Sequence, residues 1–522
     1  MLRKLPLWLA ALLILLAVFF LFDGLAPSYP YTYDEADYMY AGTRGFAANY
    51  LDQDALPFPT FVQKGLELMR TPGQRSSFSE YIRSTGDINM YRHFHGPVYA
   101  YWLAFGQLRG LSNPGQYRAS GIFIHLTTTL ASMLIFWWLF PALPTWGGLL
   151  AGLLIGFNRT ALVTSMVISQ HLAFILVSLL TLAAAARFLR DFNPRWFYAM
   201  MALLAVCYAT VESAAFLTLG LAFALFCARR DLLARFDGWR GLLSLAARGL
   251  LAWAIGLLIS WPMGLLTLNV LKGYLAMGYI AVSRKTFSPI SFTEMWIAKF
   301  NASPWEFSAF LAALPLLWLC RRRLPRESWP FLCYALVFFL ITIKMTVPYT
   351  HYLGSFTIAC AMCLAIAASA VAQSGAQSRP GPTGPILFTA LALSVAPMIL
   401  AYRTEAKYIQ ADQPHLEQLL TFFSTNAQPT QRWLIPFEFL PILHFYHPAL
   451  RFTAYDTDWD PNRLAQQLTA SPLPTGLICA PQTCAQIQTL FGPQRFIGPT
   501  PVAQPARFLA QPLAALQFRS PQ

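Results

Sequence analysis

Charge is what this sequence has least of. Asp, Glu, Lys and Arg make up 11% of its 522 residues, where a soluble domain carries roughly 25%. That deficit excludes an ordinary soluble fold. Apolar residues, 56% of the chain, come instead in long blocks, the pattern of repeated membrane spans. There is no internal repeat, and no Cys or His spacing of the kind that builds a zinc site. Inverted repeats and spans with ionisable or Gly/Pro-broken centres are also missing, which argues against a transporter. The charge that is present sums to +14. A nucleic-acid partner would suit that sign. However, much of the positive charge sits in short clusters between apolar blocks, as membrane topology requires. No small-x-small cleavage motif follows the apolar run ending at Phe22. The segment that opens with Arg3 and Lys4 is therefore expected to be a retained helix rather than a signal peptide.

About eleven spans are predicted, at 5–25, 119–140, 146–160, 170–189, 196–211, 213–228, 248–266, 305–320, 329–346, 352–372 and 385–402. With Arg3 and Lys4 inside, alternation also places Arg187/Arg190/Arg195, Arg229/Arg230/Arg235/Arg240, Arg321/Arg322/Arg323/Arg326 and Arg379 inside. This agrees with the positive-inside rule. The loops 26–118 and 267–304 and the tail after 402 then lie outside. The expected organisation is a transmembrane module over 1–402 and an extracytoplasmic domain over 403–522. Six cysteines, at 207, 227, 320, 333, 360 and 363, fall in or beside spans and read as small buried hydrophobes. In the tail, short apolar runs near 433, 452 and 476 read as strands, and 414–424, 461–470 and 484–491 as helices. That alternation predicts a small α/β domain. Cys479 and Cys484 are its two cysteines, either disulfide-bonded in an exported compartment or unpaired.

The loop 26–118 is the most informative segment. It opens with Tyr33, Asp34, Glu35, Ala36 and Asp37, close to the predicted membrane edge. A helix starting near Asp34 puts Asp34 and Asp37 on one face. Asp34 then serves either as an N-cap among solvated acids or as a general base at the membrane surface. The loop ends with Arg92, His93 and His95 ahead of Gly96 and Pro97. These are donors suited to a phosphate. The two histidines at i,i+2 offer a metal site as the alternative. After Pro97, the residues Val98, Tyr101, Trp102, Phe105 and Leu108 recur at helical spacing, as in an amphipathic helix lying in the interface.

An N-terminal span, an outer Asp-Glu, a His/Lys-Pro-Pro-like segment, an interfacial helix and then further spans resembles the C-type glycosyltransferase superfamily. The nearest groups are the protein O-mannosyltransferases and the lipid A aminoarabinose transferases. The resemblance covers about 1–400 in layout and is strong at 33–40 and 91–103. It implies an all-α polytopic membrane enzyme that takes a sugar from a polyprenyl phosphate on the outer face and inverts the anomeric centre. Asp34 matches the family's catalytic aspartate and Glu35 the adjacent acid. His95, Gly96 and Pro97 match its His/Lys-Pro-Pro, with Gly96 a departure. Lys344 and His351 resemble a late segment in which a basic residue precedes a Tyr-rich helix start. Relatives carry an Asp where the third span returns to the outer face, and this chain has Gln170 and His171 there. Glu212, at the next outer turn, either substitutes for that acid or simply faces water.

The chemistry suits these residues. A departing phosphate needs cations, for which Arg92, His95, Lys344 and His351 are the candidates, with Asp37, His93, His171 and Glu212 in support. The acceptor hydroxyl needs a base, supplied by Asp34, whose proton affinity a partly desolvated pocket raises. A monophosphate donor has little need of a cofactor, so none is expected, a divalent metal being the alternative. His125, inside a span, reads as a packed polar residue. The outer loop with Lys272, Tyr274 and Glu294 either covers the site or binds acceptor, or else is a solvated connection. The expected partners are a polyprenyl-phosphate sugar (undecaprenyl, if the resemblance holds in a bacterium), a glycan, lipid or protein acceptor, and the bilayer of an inner or plasma membrane. Two other readings are a ligase or polymerase for lipid-linked oligosaccharides and a non-catalytic scaffold of envelope assembly.

Overall fold

The computed structural model describes residues 5–22, 33–51, 57–70, 96–110, 114–268, 270–275, 304–320, 324–342, 353–378, 383–411, 413–436, 439–455, 461–469, 474–503 and 512–519, with isolated positions between 291 and 301. The chain divides into two compact units. One comprises Met1–Leu25, Phe94–Tyr99 and Arg118–Ala406, and the other Ala26–His93, Ala100–Tyr117 and Lys407–Gln522. Most of the first long loop thus groups with the tail rather than with the apolar helices.

The first unit is helical. Among the described residues, five helices are long and apolar enough to cross a membrane, or six if the bent pair Trp146–Gly156 and Arg159–Met166 counts as one span. Leu5–Phe20, Ala214–Cys227 and Pro304–Leu319 are shorter apolar helices. Gly354–Ser378 is the central one: 94% of its apolar window is buried, against 17% for Trp239–Ser260, which turns Leu243, Leu250, Leu251 and Ile259 outward. The reason lies in side-chain size. Its run of Ala, Gly, Ser and Cys lets neighbouring backbones come close, which is how helices associate without a hydrophobic driving force. The same device recurs at Gly148, Gly152 and Gly156, one helical turn apart. A Cβ at these positions would meet Trp137, Met133 and Thr129 of Pro114–Leu139 within 3.0 Å.

The bend between Trp146–Gly156 and Arg159–Met166 is 52°. Asn158 makes it, sitting in an extended conformation and capping the second helix by accepting from the Ala161 N–H at 3.0 Å. Glu306, buried in the first turn of Pro304–Cys320, closes over this bend. It accepts from the Thr160 hydroxyl at 2.5 Å and the Asn158 amide at 3.4 Å. Arg159 pairs with Glu405 at 3.1 Å. We expect Glu306→Leu to lower stability by about 1–3 kcal/mol, because it leaves two buried donors without their acceptor. The thermal melt of the detergent-solubilised protein checks this, and an unchanged melting temperature contradicts it. His125 links the same region, its Nε2 lying 3.0 Å from the Gly156 carbonyl and its ring edge-on to Phe22.

In the second unit, five strands form one sheet: β1 (Arg432–Pro436), β2 (Arg451–Tyr455), β3 (Gly476–Cys479), β4 (Phe496–Ala503) and β5 (Leu513–Phe518). Their order is β2-β1-β3-β5-β4. β1 is parallel to β2 and β3, and β5 is antiparallel to β3 and β4. Side chains alternate along β1. Trp433 stacks edge-on with Phe422 and Phe423 of helix Gln413–Asn426. Leu434 joins Leu464, Leu468 and Ile487, which come from helices Pro461–Thr469 and Pro481–Phe491. Helices therefore cover both faces of the sheet. Cys479 and Cys484 are disulfide-bonded, joining the end of β3 to the helix that follows it.

Candidate functional site

The acidic segment forms a helix, Tyr33–Thr43, with Asp34 in its first turn. The side chains of Asp34 and Asp37 lie outside the described residues. Glu35 is fully buried, on the same face as Ala36 and Met39. The helix packs against helix Leu440–Tyr446, where the Tyr40 ring meets His444 at 6.2 Å. The far end of the helix is fixed by amides. Gly45, at φ +82°, turns the chain into Gly45–Leu51. Buried Asn49 donates to the carbonyls of Ala41 at 2.7 Å and Gly45 at 2.8 Å. The Gln107 amide donates to the Gly42 carbonyl at 3.0 Å, and it accepts from the Thr43 N–H at 3.1 Å and the Tyr117 hydroxyl at 3.0 Å. Carbonyls at a helix end need such partners, so the first turn sits on a rigidly terminated helix.

His444 is held below its ordinary pKa by burial. The same cause lowers His447, partly opposed by a bond to the Leu420 carbonyl. Above about pH 6.5, the value in an unfolded chain, both states are neutral and stability is flat. As pH falls below that, the unfolded chain takes protons that the folded unit resists, and stability is lost. We expect proteolysis of the tail unit, within the full chain, to rise as pH drops from 7 to 5. His444→Phe should flatten this profile. A profile unchanged by the substitution contradicts the assignment.

Arg92, His93 and His95 lie outside the described residues, as do Lys344 and His351. Gly96 and Pro97 do not, and both are buried. Gly96 lies against the turn after helix Pro194–Tyr208 so closely that a Cβ would stand 2.0 Å from both the carbon and the oxygen of the Ala209 carbonyl. The next N–H, on Val98, donates to that same carbonyl at 3.1 Å. The departure from Pro-Pro at this position thus has a steric cause: only glycine fits. In helix Val98–Leu108, Tyr99, Ala100, Leu103 and Ala104 are buried. Of the expected stripe, Trp102, Phe105 and Leu108 are exposed, whereas Val98 and Tyr101 are half-buried, the Tyr101 ring lying 4.7 Å from that of Phe46.

The turn that receives Gly96 also carries Glu212, half-buried. Tyr274 donates to the Glu212 main-chain carbonyl at 3.4 Å, and its ring lies 6.1 Å from that of Tyr208. Burial, then Tyr208 and Glu212, raise the pKa of the Tyr274 phenol, which stays protonated. Val98, Tyr208, Trp253 and Val270 pack on one core of Ala205, Ala209, Leu257 and Trp261. Lys272, on the same short helical segment as Tyr274, is fully buried.

At the third return, Gln170 and His171 open helix Gln170–Asp191, and both are buried. Ser169 caps this helix by accepting from the His171 N–H at 3.3 Å. Buried Arg118 donates from Nε to the Met166 carbonyl at 2.7 Å. Among the described residues, no three His, Cys, Asp or Glu side chains converge as metal ligands. In the tail unit, a cleft of about 620 Å³ lies between helix Gln413–Asn426 and β4, lined by Glu417, Gln418, Phe422 and Pro501 among others.

No protein-family model matches the sequence, and no curated protein matches it. Solved structures do match in fold. The chain is similar to ArnT from Cupriavidus metallidurans bound to undecaprenyl phosphate, with a TM-score of 0.62 at 13% identity, over 99% of this chain and 100% of that one. The apo state of that protein gives 0.54 at 14% identity, over 82% and 89%. The archaeal oligosaccharyltransferase AglB from Archaeoglobus fulgidus, in complex with an inhibitory peptide and a dolichol-phosphate, gives 0.52 at 12% identity, over 74% and 61%. The chain therefore shares the fold of ArnT and, over part of its length, of AglB.

Proposed function

We propose that this protein is an integral membrane glycosyltransferase that moves a monosaccharide from a polyprenyl-phosphate donor to an envelope glycan, lipid or protein. The reading rests chiefly on one observation. Likeness in fold to a structure holding undecaprenyl phosphate runs over 99% of this chain and 100% of that one. In this reading the chain crosses the membrane about eleven times, with its N-terminus cytoplasmic and its tail domain extracytoplasmic, as the Arg and Lys distribution supports.

Asp34 takes the acceptor proton as the hydroxyl attacks the anomeric carbon, and the configuration inverts. The leaving phosphate is held by Arg92, His95, Lys344 and His351. Glu35, the next residue in the chain and fully buried, supports Asp34 as the adjacent catalytic acid. No cofactor takes part. Likeness to AglB keeps a lipid-linked oligosaccharide ligase as the second reading, though it covers 61% of that chain. The deciding experiment is transfer from radiolabelled polyprenyl-phosphate monosaccharides to native envelope extract, in membranes containing the wild type. Transfer supports the first reading. Failure with every monosaccharide donor, alongside transfer from a diphosphate-linked oligosaccharide, supports the second.

A further inference from the structure

The least satisfied polar group described in the helical unit is the side-chain amide of Gln170. The residue is 1% exposed, and neither its Oε1 nor its Nε2 has a hydrogen-bond partner. Folds rarely leave a donor and an acceptor unpaired together in an apolar interior, and a functional role is one of the few reasons they do. The surroundings are built for a polar guest. Residues 167–169 run extended between helices Arg159–Met166 and Gln170–Asp191. Around this break, Arg118, Ser169, Gln170 and His171 are all buried. The first turns of Pro114–Leu139 press against it. Arg118 is anchored on the Met166 carbonyl at 2.7 Å, and Gly121 is so close to the Ser165 carbonyl that a Cβ would stand 2.7 Å from its oxygen.

We propose that Gln170 is a specificity residue that reads hydroxyl groups on the donor's sugar ring, an inference that rests on the lipid-phosphate-sugar reading above. The amide selects the ligand chemistry. A phosphate or carboxylate offers acceptors and would leave Oε1 unpaired. An ammonium group or a metal ion would leave Nε2 unpaired. A hydroxyl both donates and accepts, so two neighbouring ring hydroxyls complete both ends of the amide at once. Charge narrows the choice further. The start of a helix carries partial positive charge, which disfavours an ammonium group there. A neutral sugar is therefore favoured over an amino sugar.

The test is binding to the full chain in detergent. The probes are farnesyl phosphate and a set of farnesyl-phosphate sugars bearing mannose, glucose, galactose or 4-amino-4-deoxyarabinose. Wild type should bind at least one neutral sugar probe about tenfold more tightly than bare farnesyl phosphate, a difference of about 1.4 kcal/mol. Gln170→Met should remove this preference and leave the affinity for farnesyl phosphate unchanged. The melting temperature of the unliganded variant should not fall, because no native partner is lost. Gln170→Glu, which keeps the shape but cannot donate, should also lose the preference. A preference retained by both variants overturns the proposal. So does equal weakening of every probe with a lower melting temperature, the mark of a purely structural role. So does the amino sugar binding best. If wild type binds sugar probes and bare phosphate alike, the subsite fails while the lipid-phosphate reading stands. If it binds none of them, both fail.

Discussion

Replacing Asp34 with asparagine is expected to lower sugar transfer by about a thousandfold, within the range set by loss of a general base. Donor affinity should stay within about twofold of wild type, because the group acts in the transition state rather than in binding. Asparagine keeps the shape and can still cap a helix, but it cannot take a proton. The change should therefore separate the two roles the sequence leaves open for this residue. If Asp34 served only as a cap, the variant would turn over normally, and that result would remove the assignment of the base. The rest of the helix has its own supports: its far end is tied by Asn49 and Gln107, and it packs against Leu440–Tyr446. Glu35→Gln serves as the contrast. Its carboxyl group is buried, so its loss should appear in stability before it appears in turnover.

How much of this was legible in the sequence depends on what each feature is made of. The apolar helices were, because a block of apolar residues is a local signal. Helices Pro194–Tyr208, Ala214–Cys227 and Pro304–Cys320 fall within three residues of the expected bounds. Trp239–Ser260 begins nine residues before its expected start, since Arg240 and Arg248 dilute the hydropathy of its first turns. The bend at Asn158 was hidden, because a single capping residue inside an apolar run does not break the run. In the tail, β1, β2 and β3 were readable as short apolar stretches. β4 carries Pro499 and Pro501, and β5 is rich in Ala and Leu; both owe their conformation to pairing with each other and with β3. Glu306, Lys272 and Gln170 have no local signature either. Their burial is created by helices far away in the chain, so a residue that looks solvated or incidental in one dimension becomes a costly interior group in three.

Gly96 shows the same point at its sharpest, and Gly96→Ala is the second substitution with a large expected effect. In sequence, the glycine is a departure from a proline. In the structure, the position has no room for any Cβ, because the Ala209 carbonyl carbon and oxygen would both lie 2.0 Å away. These are main-chain atoms. The Ala209 N–H is itself bonded to the Ala205 carbonyl at 2.9 Å, and Ala209 belongs to the core with Leu257 and Trp261. The turn therefore cannot yield, and the 95–98 segment must lift away, losing the bond from Val98 to Ala209. Overpacking of this kind costs about 1–3 kcal/mol, and the lost hydrogen bond adds about 1 kcal/mol. If the neighbouring basic residues hold the donor phosphate, a displacement of about 1 Å lowers transfer roughly a hundredfold. Hydrogen exchange should show faster exchange at the Val98 amide and through 209–213, with the rest of the helical unit unchanged. Because the obstruction is backbone, adding Ala209→Gly should not restore activity. Rescue by that second substitution, or normal transfer by Gly96→Ala alone, would show that the segment docks elsewhere when the enzyme works.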